Sequence, residues 1–366
     1  MRKLLIISWK PYSINYYVKF DIKVLKKYFN VSFISISKIF FPKYPKIYFQ
    51  KREKTKKDGI NVYELKNIKS LKKILSKNNF DYCIDAFNGN YNLNILNLIK
   101  AYKIKTINIL GGSKLSKNEK FPRNILLILR KLYWRFSIKN SNYDYCFLSG
   151  TECIMQNNIS YKNIIFSHSF DYDLTLRSKN KKKNKPYAVF IDENMIDHPD
   201  FFTDTKIYFD RKRYYKNLTN FFLFFEKYFK IKVIIAAHPT TKDSQLKYFN
   251  GHKVCKNHTS ELIKNSSYVL LHQSTAINFA IIYKKKMVIL ADDIFNNHYL
   301  GLSTESNAIF FKKPVLDISK NYNLKTIHQS MILPNYLYRK YMDFFNLHPK
   351  KIGKSSIAEQ LNLYLK

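Results

Sequence analysis

The sequence predicts an α/β protein built from two doubly wound domains, and three observations carry that expectation. Short apolar runs alternate with helical patterns, the signature of βαβ units and a parallel sheet. The alternation stops at Arg177-Ser178-Lys179-Asn180-Lys181-Lys182-Lys183-Asn184-Lys185-Pro186, where Leu176 is the last apolar residue, and resumes at Tyr187. The chain has 366 residues, 46% of them hydrophobic, which suffices for a core in each half.

In the first half, residues 4–8, 31–36, 61–65, 82–85, 106–110 and 145–149 read as buried strands. Helical patterns over 19–28, 68–77, 93–102 and 124–139 lie between them, and the basic segment 38–57, with two prolines among aromatics, reads as a loop excursion. After the basic stretch come a strand at 187–191, a helix at 213–229, a strand at 232–237 and a helix at 260–264. A strand at 268–272, a helix at 276–283 and strands at 287–290 and 308–311 follow. The tail 355–365 is helical, with Ile357, Leu361, Leu363 and Leu365 on its apolar side. The expected division is a domain over 1–176, a linker over 177–186, a domain over 187–345 and a terminal helical segment over 346–366.

The opening Met1-Arg2-Lys3-Leu4-Leu5-Ile6-Ile7-Ser8 is too short an apolar run for a signal peptide and runs into Trp9, Lys10 and Pro11, so it reads as a strand. No stretch reaches the roughly 18 apolar residues of a membrane span. The expected location is cytoplasmic. Four cysteines, Cys83, Cys146, Cys153 and Cys255, form neither a disulfide framework nor a C-x-x-C metal spacing.

The net charge is +38, from 64 Lys and Arg against 26 Asp and Glu. Lys, Asn, Ile, Tyr and Phe are abundant while Gly (8) and Pro (10) are scarce, the bias that AT-rich codons produce, and the charge is spread along the whole chain. Codon bias is the first reading of the charge, an anionic membrane surface or substrate the second, and nucleic acid the third. No RRM or KH fingerprint supports the third, so no specific nucleic-acid partner is expected.

In parallel sheets, ligands bind beyond the carboxyl ends of the strands, at a topological switch point. In the second half those positions are polar. The strand at 187–191 ends in Asp192-Glu193-Asn194, the strand at 232–237 in His238-Pro239-Thr240-Thr241, and the strand ending at His272 in Gln273-Ser274-Thr275. Ser274 and Thr275 at a helix start can cap orphan N–H groups or bind a phosphate there. Pro239 restricts His238 to an extended backbone, so the imidazole holds a fixed place from which a proton can reach a phosphate. An ordinary N-cap and a turn histidine are the plainer alternatives.

The array Ile235-Ala236-Ala237-His238-Pro239, Thr259-Ser260-Glu261-Leu262-Ile263 and Leu271-His272-Gln273-Ser274-Thr275-Ala276-Ile277-Asn278-Phe279-Ala280 resembles bacterial GT-B glycosyltransferases of surface polysaccharide biosynthesis, of the sialyltransferase-like and capsule types. CDP-glycerol-type polymerases look similar over the same region, about residues 187–295. The resemblance implies two Rossmann-like domains facing a cleft, with the HP and Ser/Thr motifs of the C-terminal domain holding the donor nucleotide and its phosphate. It also implies a terminal helix that returns to the N-terminal domain. Those families follow an acidic pair with Gly, whereas Asp192-Glu193 is followed here by Asn194.

Other positions are thinner. Gly111 and Gly112 follow a strand and would let a backbone approach a phosphate, or form a plain turn. Asp85 ends another strand and could act as base toward an acceptor. Asp292-Asp293 fits ribose hydroxyls, a metal or a solvated loop. Asp171-Tyr172-Asp173 is the only D-x-D spelling and lies away from the donor region, so no metal is expected. The segment from Phe121 to Lys139 reads as a basic helix with Trp134 and leucines, either packed on a sheet or lying on an acidic membrane.

The reading that follows is an inverting, metal-independent glycosyltransferase moving a sugar, first of all a CMP-activated nonulosonic acid, to a lipopolysaccharide, lipooligosaccharide or capsule glycan. The nucleotide-sugar is a co-substrate and no cofactor is expected. Asp192, Glu193 or Asp85 would be the base and His238 would neutralise the leaving group. Gln273, Ser274, Thr275, Pro239, Gly111 and Gly112 would surround the phosphate. The rivals are a CDP-polyol phosphotransferase, a nucleic-acid-binding protein and a silent scaffold of the same fold.

Overall fold

Runs such as Leu4-Leu5-Ile6-Ile7 and Val269-Leu270-Leu271 are apolar at successive positions, so both faces of a strand need cover, and that demand makes a parallel sheet with helices on each side. A computed structural model describes residues 1–40, 59–86, 93–111, 142–153, 160–178, 185–196, 209–239, 241–295 and 299–365. Its elements divide into two compact units. The first gathers described residues up to 111, from 142 to 176 and from 343 onward, and the second those from 177 to 342.

The first unit runs β1 (Arg2–Ser8), α1 (Ile14–Lys19), α2 (Ile22–Leu25), β2 (Phe29–Ser35), α3 (Ser37–Phe40), β3 (Asn61–Glu64), α4 (Ile68–Asn78), β4 (Tyr82–Asp85), α5 (Leu93–Ala101), β5 (Lys105–Leu110), β6 (Asn142–Leu148), β7 (Ser160–Phe166) and α6 (Phe170–Arg177). Its seven strands are parallel in the order β3-β2-β1-β4-β5-β6-β7, so the switch point lies between β1 and β4. Alternate residues divide between the faces. Leu4, Ile6, Phe33 and Ile84 pack on one side, while Leu5, Ile7 and Ile34 join Leu71 and Leu75 of α4 on the other.

The second unit runs β8 (Tyr187–Ile191), α7 (Arg211–Phe229), β9 (Lys232–Ala237), β10 (Lys253–Lys256), α8 (Thr259–Asn265), β11 (Tyr268–Leu271), α9 (Ile277–Ile282), β12 (Lys286–Ala291), α10 (Tyr299–Phe311), β13 (Val315–Asp317), α11 (Leu324–Ser330) and α12 (Asn335–Tyr341). Its six strands are again parallel, in the order β10-β9-β8-β11-β12-β13, with the switch between β8 and β11. Helix α7 lays Tyr214, Leu218, Phe221, Phe222 and Phe225 into this core. Burying each phenylalanine stabilises the unit by about 1.5–3 kcal/mol relative to exposure. Two parallel sheets with this order and helical cover are the GT-B type of α/β fold.

A π-helical turn (Met342–Asn346) leads to α13 (Ile357–Tyr364), whose Ile357, Ala358 and Leu361 join the first unit's core together with Leu365. Ser356 caps α13, and Glu359 reaches back to the Ser356 N–H, the reciprocal pair that an S-x-x-E spelling encodes. Asp173 Oδ1 accepts from the Ile357 N–H at 2.9 Å and lies 2.8 Å from His168 Nε2, all buried. The Asp171-Tyr172-Asp173 spelling therefore serves helix α6 and the docking of α13.

Several expectations need correction. The strand expected at 308–311 is the end of helix α10, and the strand is the shorter β13 just beyond it. A four-residue apolar run does not distinguish the two by periodicity. The helix expected over 19–28 breaks into α1 and α2 at Asp21, whose φ is 45°. Strands β7, β10 and β13 were not expected. All three are edge strands, and β7 has just one buried position, so the apolar run that marks a central strand is missing. The helix expected over 124–139 and most of the basic linker lie outside the described residues. Among the described residues no helix is long and apolar enough to cross a membrane.

Nine described residues other than glycine hold left-handed φ between 45° and 63°: Asp21, Asn79, Lys103, Asn194, Lys230, Asn250, Asn257, Lys284 and Lys312. Three of them, Asn79, Lys230 and Asn250, are the residues that close helices, where glycine is the usual choice.

Candidate functional site

The candidate residues of the second unit follow the carboxyl ends of β8, β9 and β11, adjacent strands around the switch point. Because Leu271 pairs with Ile191 in register, Asp192 and His272 are the next residues on either side of it. This is where doubly wound sheets bind ligands.

Asp192 organises the loop. It is 4% exposed. Its Oδ1 accepts from the Asn194 N–H at 2.9 Å, and its Oδ2 accepts from the His238 N–H at 3.2 Å and from Thr241 Oγ1 at 2.8 Å. The His238 carbonyl in turn accepts from the Thr241 N–H at 2.9 Å. Burial raises the Asp192 carboxyl above its ordinary range, and these hydrogen bonds oppose that rise. The loop after β9 is thus hung from β8 by one carboxylate, with the half-buried His238 ring carried at the bend beside exposed Pro239.

Asn194 explains the missing glycine. Its φ is 51°, in the region where Gly is the default and Asn the next best choice. Here Asn194 is buried, with Gln245 Nε2 at 3.5 Å from its Oδ1. Glu193, between the two, is 8% exposed.

Just after β11, His272 is buried. Its Nδ1 lies 2.9 Å from the Leu290 carbonyl, which can only accept, so Nδ1 carries the proton and Nε2 accepts from the Tyr214 hydroxyl at 3.1 Å. Burial pushes the imidazole down to about 4, so His272 is neutral at pH 7. The Tyr214 phenol is pushed well up, first by burial and then by the charges of Tyr215, Asp192, Asp292 and Glu193. Carboxylates from the ends of β8 and β12 therefore act on one buried hydroxyl.

Asp292 is 2% exposed and accepts from Asn217 Nδ2 and from the Ile294 N–H, both at 3.0 Å. Burial raises its carboxyl. Asp293 pairs with the Arg213 guanidinium. The pair is part of a helix-to-strand network, which corrects the solvated-loop alternative.

At the turn after β11, Gln273 is 2% exposed and its Oε1 is buried without a hydrogen-bond partner among the described residues. Ser274 Oγ accepts from the Ala276 N–H at 3.2 Å, while Thr275 is exposed. Helix α9 begins at Ile277 behind Ala276, with no side-chain cap, so the expected Ser/Thr cap is replaced by a tight Ser turn ahead of the helix.

In the first unit, Asp85 ends β4 at the switch point, is buried, and accepts from the Tyr143 hydroxyl. Gly111 follows β5 in a crowded place. A Cβ there would collide with Ser149 Oγ and approach Ser169 Cα at 3.1 Å, so the close approach that this glycine permits is to its own unit. Gly112 and the segment from Phe121 to Lys139 lie outside the described residues. Among the described residues no cluster of three or more His, Cys, Asp or Glu is arranged to hold a metal.

Tyr214, Asn217 and Thr241 were not expected. Tyr214 and Asn217 belong to a helix whose apolar spacing marks Tyr214 as core, and a spacing pattern does not reveal where a hydroxyl points. The signal for Thr241 was its place three residues past His238.

No protein-family model matches the sequence, and no curated protein sequence does. Solved structures do match the fold. Arabidopsis thaliana UGT89C1 complexed with UDP superposes at TM-score 0.53 with 10% identity, covering 99% of each chain. The wall teichoic acid polymerase TagF (H444N variant) superposes at 0.53 with 12% identity, over 99% of this chain and 87% of its own. The Staphylococcus aureus MnaA–UDP co-structure gives 0.52 with 12% identity, over 99% and 95%. At these identities the likeness establishes the fold.

Proposed function

We propose that the protein is a nucleotide-sugar-dependent glycosyltransferase that binds its donor at the carboxyl ends of β8, β9 and β11. The observation that carries the reading is the His238 loop suspended from buried Asp192 at the switch point, with the Gln273-Ser274 turn and its unmatched amide oxygen following β11 on the other side of β8. UDP in the matching UGT89C1 and MnaA structures supports a nucleotide on this fold. His238 supplies positive charge or a proton to the departing phosphate, which should be the larger contribution to rate. Ser274 and Thr275 give hydroxyls to the phosphate and Gln273 accepts from the nucleotide.

Asp192 acts as a positioning residue in this reading, because its oxygens already hold His238 and Thr241 in place. Glu193, beside it in sequence, would deprotonate an acceptor hydroxyl, with Asp85 the alternative from the first unit. The donor to test first is a CMP-activated nonulosonic acid and the acceptor a bacterial surface glycan. Attachment to an acidic membrane through Phe121 to Lys139 belongs to the same reading.

A thermal-shift panel of CMP, CDP, UDP, GDP and their sugars tests it, since a ligand that binds only the folded state raises the melting temperature by mass action. His238→Ala and the Ser274→Ala/Thr275→Ala double variant should each weaken the active nucleotide by about 1.5–3 kcal/mol with little change in melting temperature. Unchanged affinity in both would remove the site. A CDP-polyol donor turning over in place of any sugar nucleotide would select the phosphotransferase reading on the same fold.

A further inference from the structure

At the amino edge of the second unit's sheet, the starts of β11 and β12 and the ends of α7 and α11 surround an apolar cavity of about 310 Å³. This is the edge opposite the His238 loop. The Phe229 ring lies 5.6 Å from that of Tyr268 and 5.8 Å from that of His328, centroid to centroid. Met331, Ile332 and Leu333 complete the lining together with Lys286, whose Nζ stands 5.8 Å from the Tyr268 centroid.

Three of these residues belong to the apolar turn Met331-Ile332-Leu333-Pro334 between α11 and α12, and the turn does not fold inward. Ile332 is 66% exposed, and Tyr336, at the start of α12, is 74% exposed. Lys313 fixes the turn in that position. Its ammonium is buried and donates to the Ser330 carbonyl and, at 2.8 Å, to the Ile332 carbonyl. Burial brings it down to about 8, so it is still charged at pH 7. A buried cation is thus committed to holding an isoleucine in water.

The surround is basic throughout. No Asp or Glu occurs from Leu262 to Ala291 or from Ile318 to Met342, the stretches that supply β11, β12, α11, the turn and α12. Lys325 shares a helix face with His328 three residues on, and Arg339 and Lys340 share one with Tyr336. Glu226 of α7, the carboxylate nearest Phe229 in sequence, is occupied by the Val233 N–H at 2.7 Å and by Lys232 at 3.0 Å. Apolar side chains ringed by cations suit a partner that is acidic at its surface and apolar beneath. A second copy of the chain does not fit that description, because a symmetric contact sets the same cations against each other.

We infer that this turn docks the second unit on an acidic lipid bilayer, with Ile332 and Leu333 entering the acyl boundary and the surrounding basic residues meeting the lipid phosphates. Tyr336 then lies at headgroup level, where a ring with a polar tip is at home. Lys286, Lys325, Arg339 and Lys340 supply the electrostatic part. The contact is separate from attachment through Phe121 to Lys139 and does not depend on the enzymatic reading.

Co-sedimentation of the full chain with vesicles tests the inference. The wild type should bind vesicles of equal phosphatidylglycerol and phosphatidylcholine at least about tenfold more tightly than phosphatidylcholine alone. Ile332→Asp should lose about tenfold or more of that affinity, because a carboxylate replaces the inserting side chain. Arg339→Gln/Lys340→Gln should lose about tenfold, each basic residue near an acidic surface being worth severalfold. Both changes fall on exposed side chains away from the His238 loop, so melting temperature and nucleotide affinity should stay at the parent values. Tyr336→Trp should show fluorescence quenching by brominated lipid beyond that of the parent. The inference is overturned if acidic vesicles do not bind, if binding persists in Ile332→Asp, or if Tyr336→Trp is quenched no more than the parent. Loss of binding in Arg130→Gln/Lys131→Gln/Arg135→Gln but not in Ile332→Asp would place the contact on the other segment. A parent that sediments as a dimer, with Ile332→Asp a monomer, would give the surface to a second copy and overturn the inference as well.

Discussion

The two sheets share a topology and differ at their carboxyl edges. In the second unit the strand ends carry three buried polar groupings: Asp192 with His238 and Thr241, Tyr214 with His272, and Asp292 with Asn217. In the first unit the ends of β5 and β6 are closed by packing. Ser149 Oγ donates to the Leu110 carbonyl at 2.5 Å, Gly111 makes room for that hydroxyl, and a Cβ on Gly150 would collide with the Phe344 carbonyl of the returning chain. Polar pairs occur there too, Asp85 with Tyr143 and His168 with Asp173, and the second of these also holds the Ile357 N–H of the returning chain. What sets the first unit's edge apart is that its polar groups and its glycine fasten the unit's own C-terminal segment.

The sharpest way to break this contrast is Asp192→Ala. It strands the His238 and Asn194 N–H groups and the Thr241 hydroxyl, so the second unit should lose about 3 kcal/mol in urea unfolding. Nucleotide binding should fall with it, because the His238 loop loses its anchor. A variant as stable as the parent would show that the loop holds itself.

Acid should separate the units next. The His272 imidazole sits at about 4 when folded, against an ordinary value near 6.5. Between those values the unfolded chain binds the extra proton, so the stability of the second unit should fall as pH drops from about 6.5 to about 4, by up to about 1.4 kcal/mol per pH unit. Asp192 and Asp292, raised by burial, take up protons earlier in the folded state and offset part of that slope. Hydrogen exchange in β11 and β12, compared with the same strands of His272→Gln, isolates the histidine. A slope that is the same in the variant would mean that His272 does not carry it.

The smallest expected effect lies in the first unit. Gly150→Ala pushes a methyl into the Phe344 carbonyl and should cost about 1–3 kcal/mol. Nucleotide affinity should stay at the parent value, and its loss would erase the distinction between the two edges.

The central strands were legible because each buries successive apolar residues on two faces, as Leu4–Ile7 and Val269–Leu271 do. Of the four edge strands only β3 was, and β7 shows why, since it leaves Ser160, Lys162, Asn163 and Ile164 exposed. At the candidate site the positions after the strands could be read from residue type, but the partners could not. Asp192 and Glu193 are both buried, and which of them holds the His238 loop depends on tertiary register: it is Asp192. The packing of Ser149 against Gly111 was not legible either, because a glycine that admits a ligand and one that admits a neighbouring serine look alike in sequence.

The left-handed lysines and asparagines have a consequence for the history of the molecule. A chain with 8 glycines still needs backbone turns that favour glycine, and it makes them with whatever side chains its composition supplies. Each such lysine holds the backbone at a cost of roughly 1 kcal/mol. Lys230, Lys284 and Lys312 are therefore sites where a single change to glycine relaxes the fold, and they form a mutational reserve that lets the strand-end loops drift toward new specificities without the protein ceasing to fold.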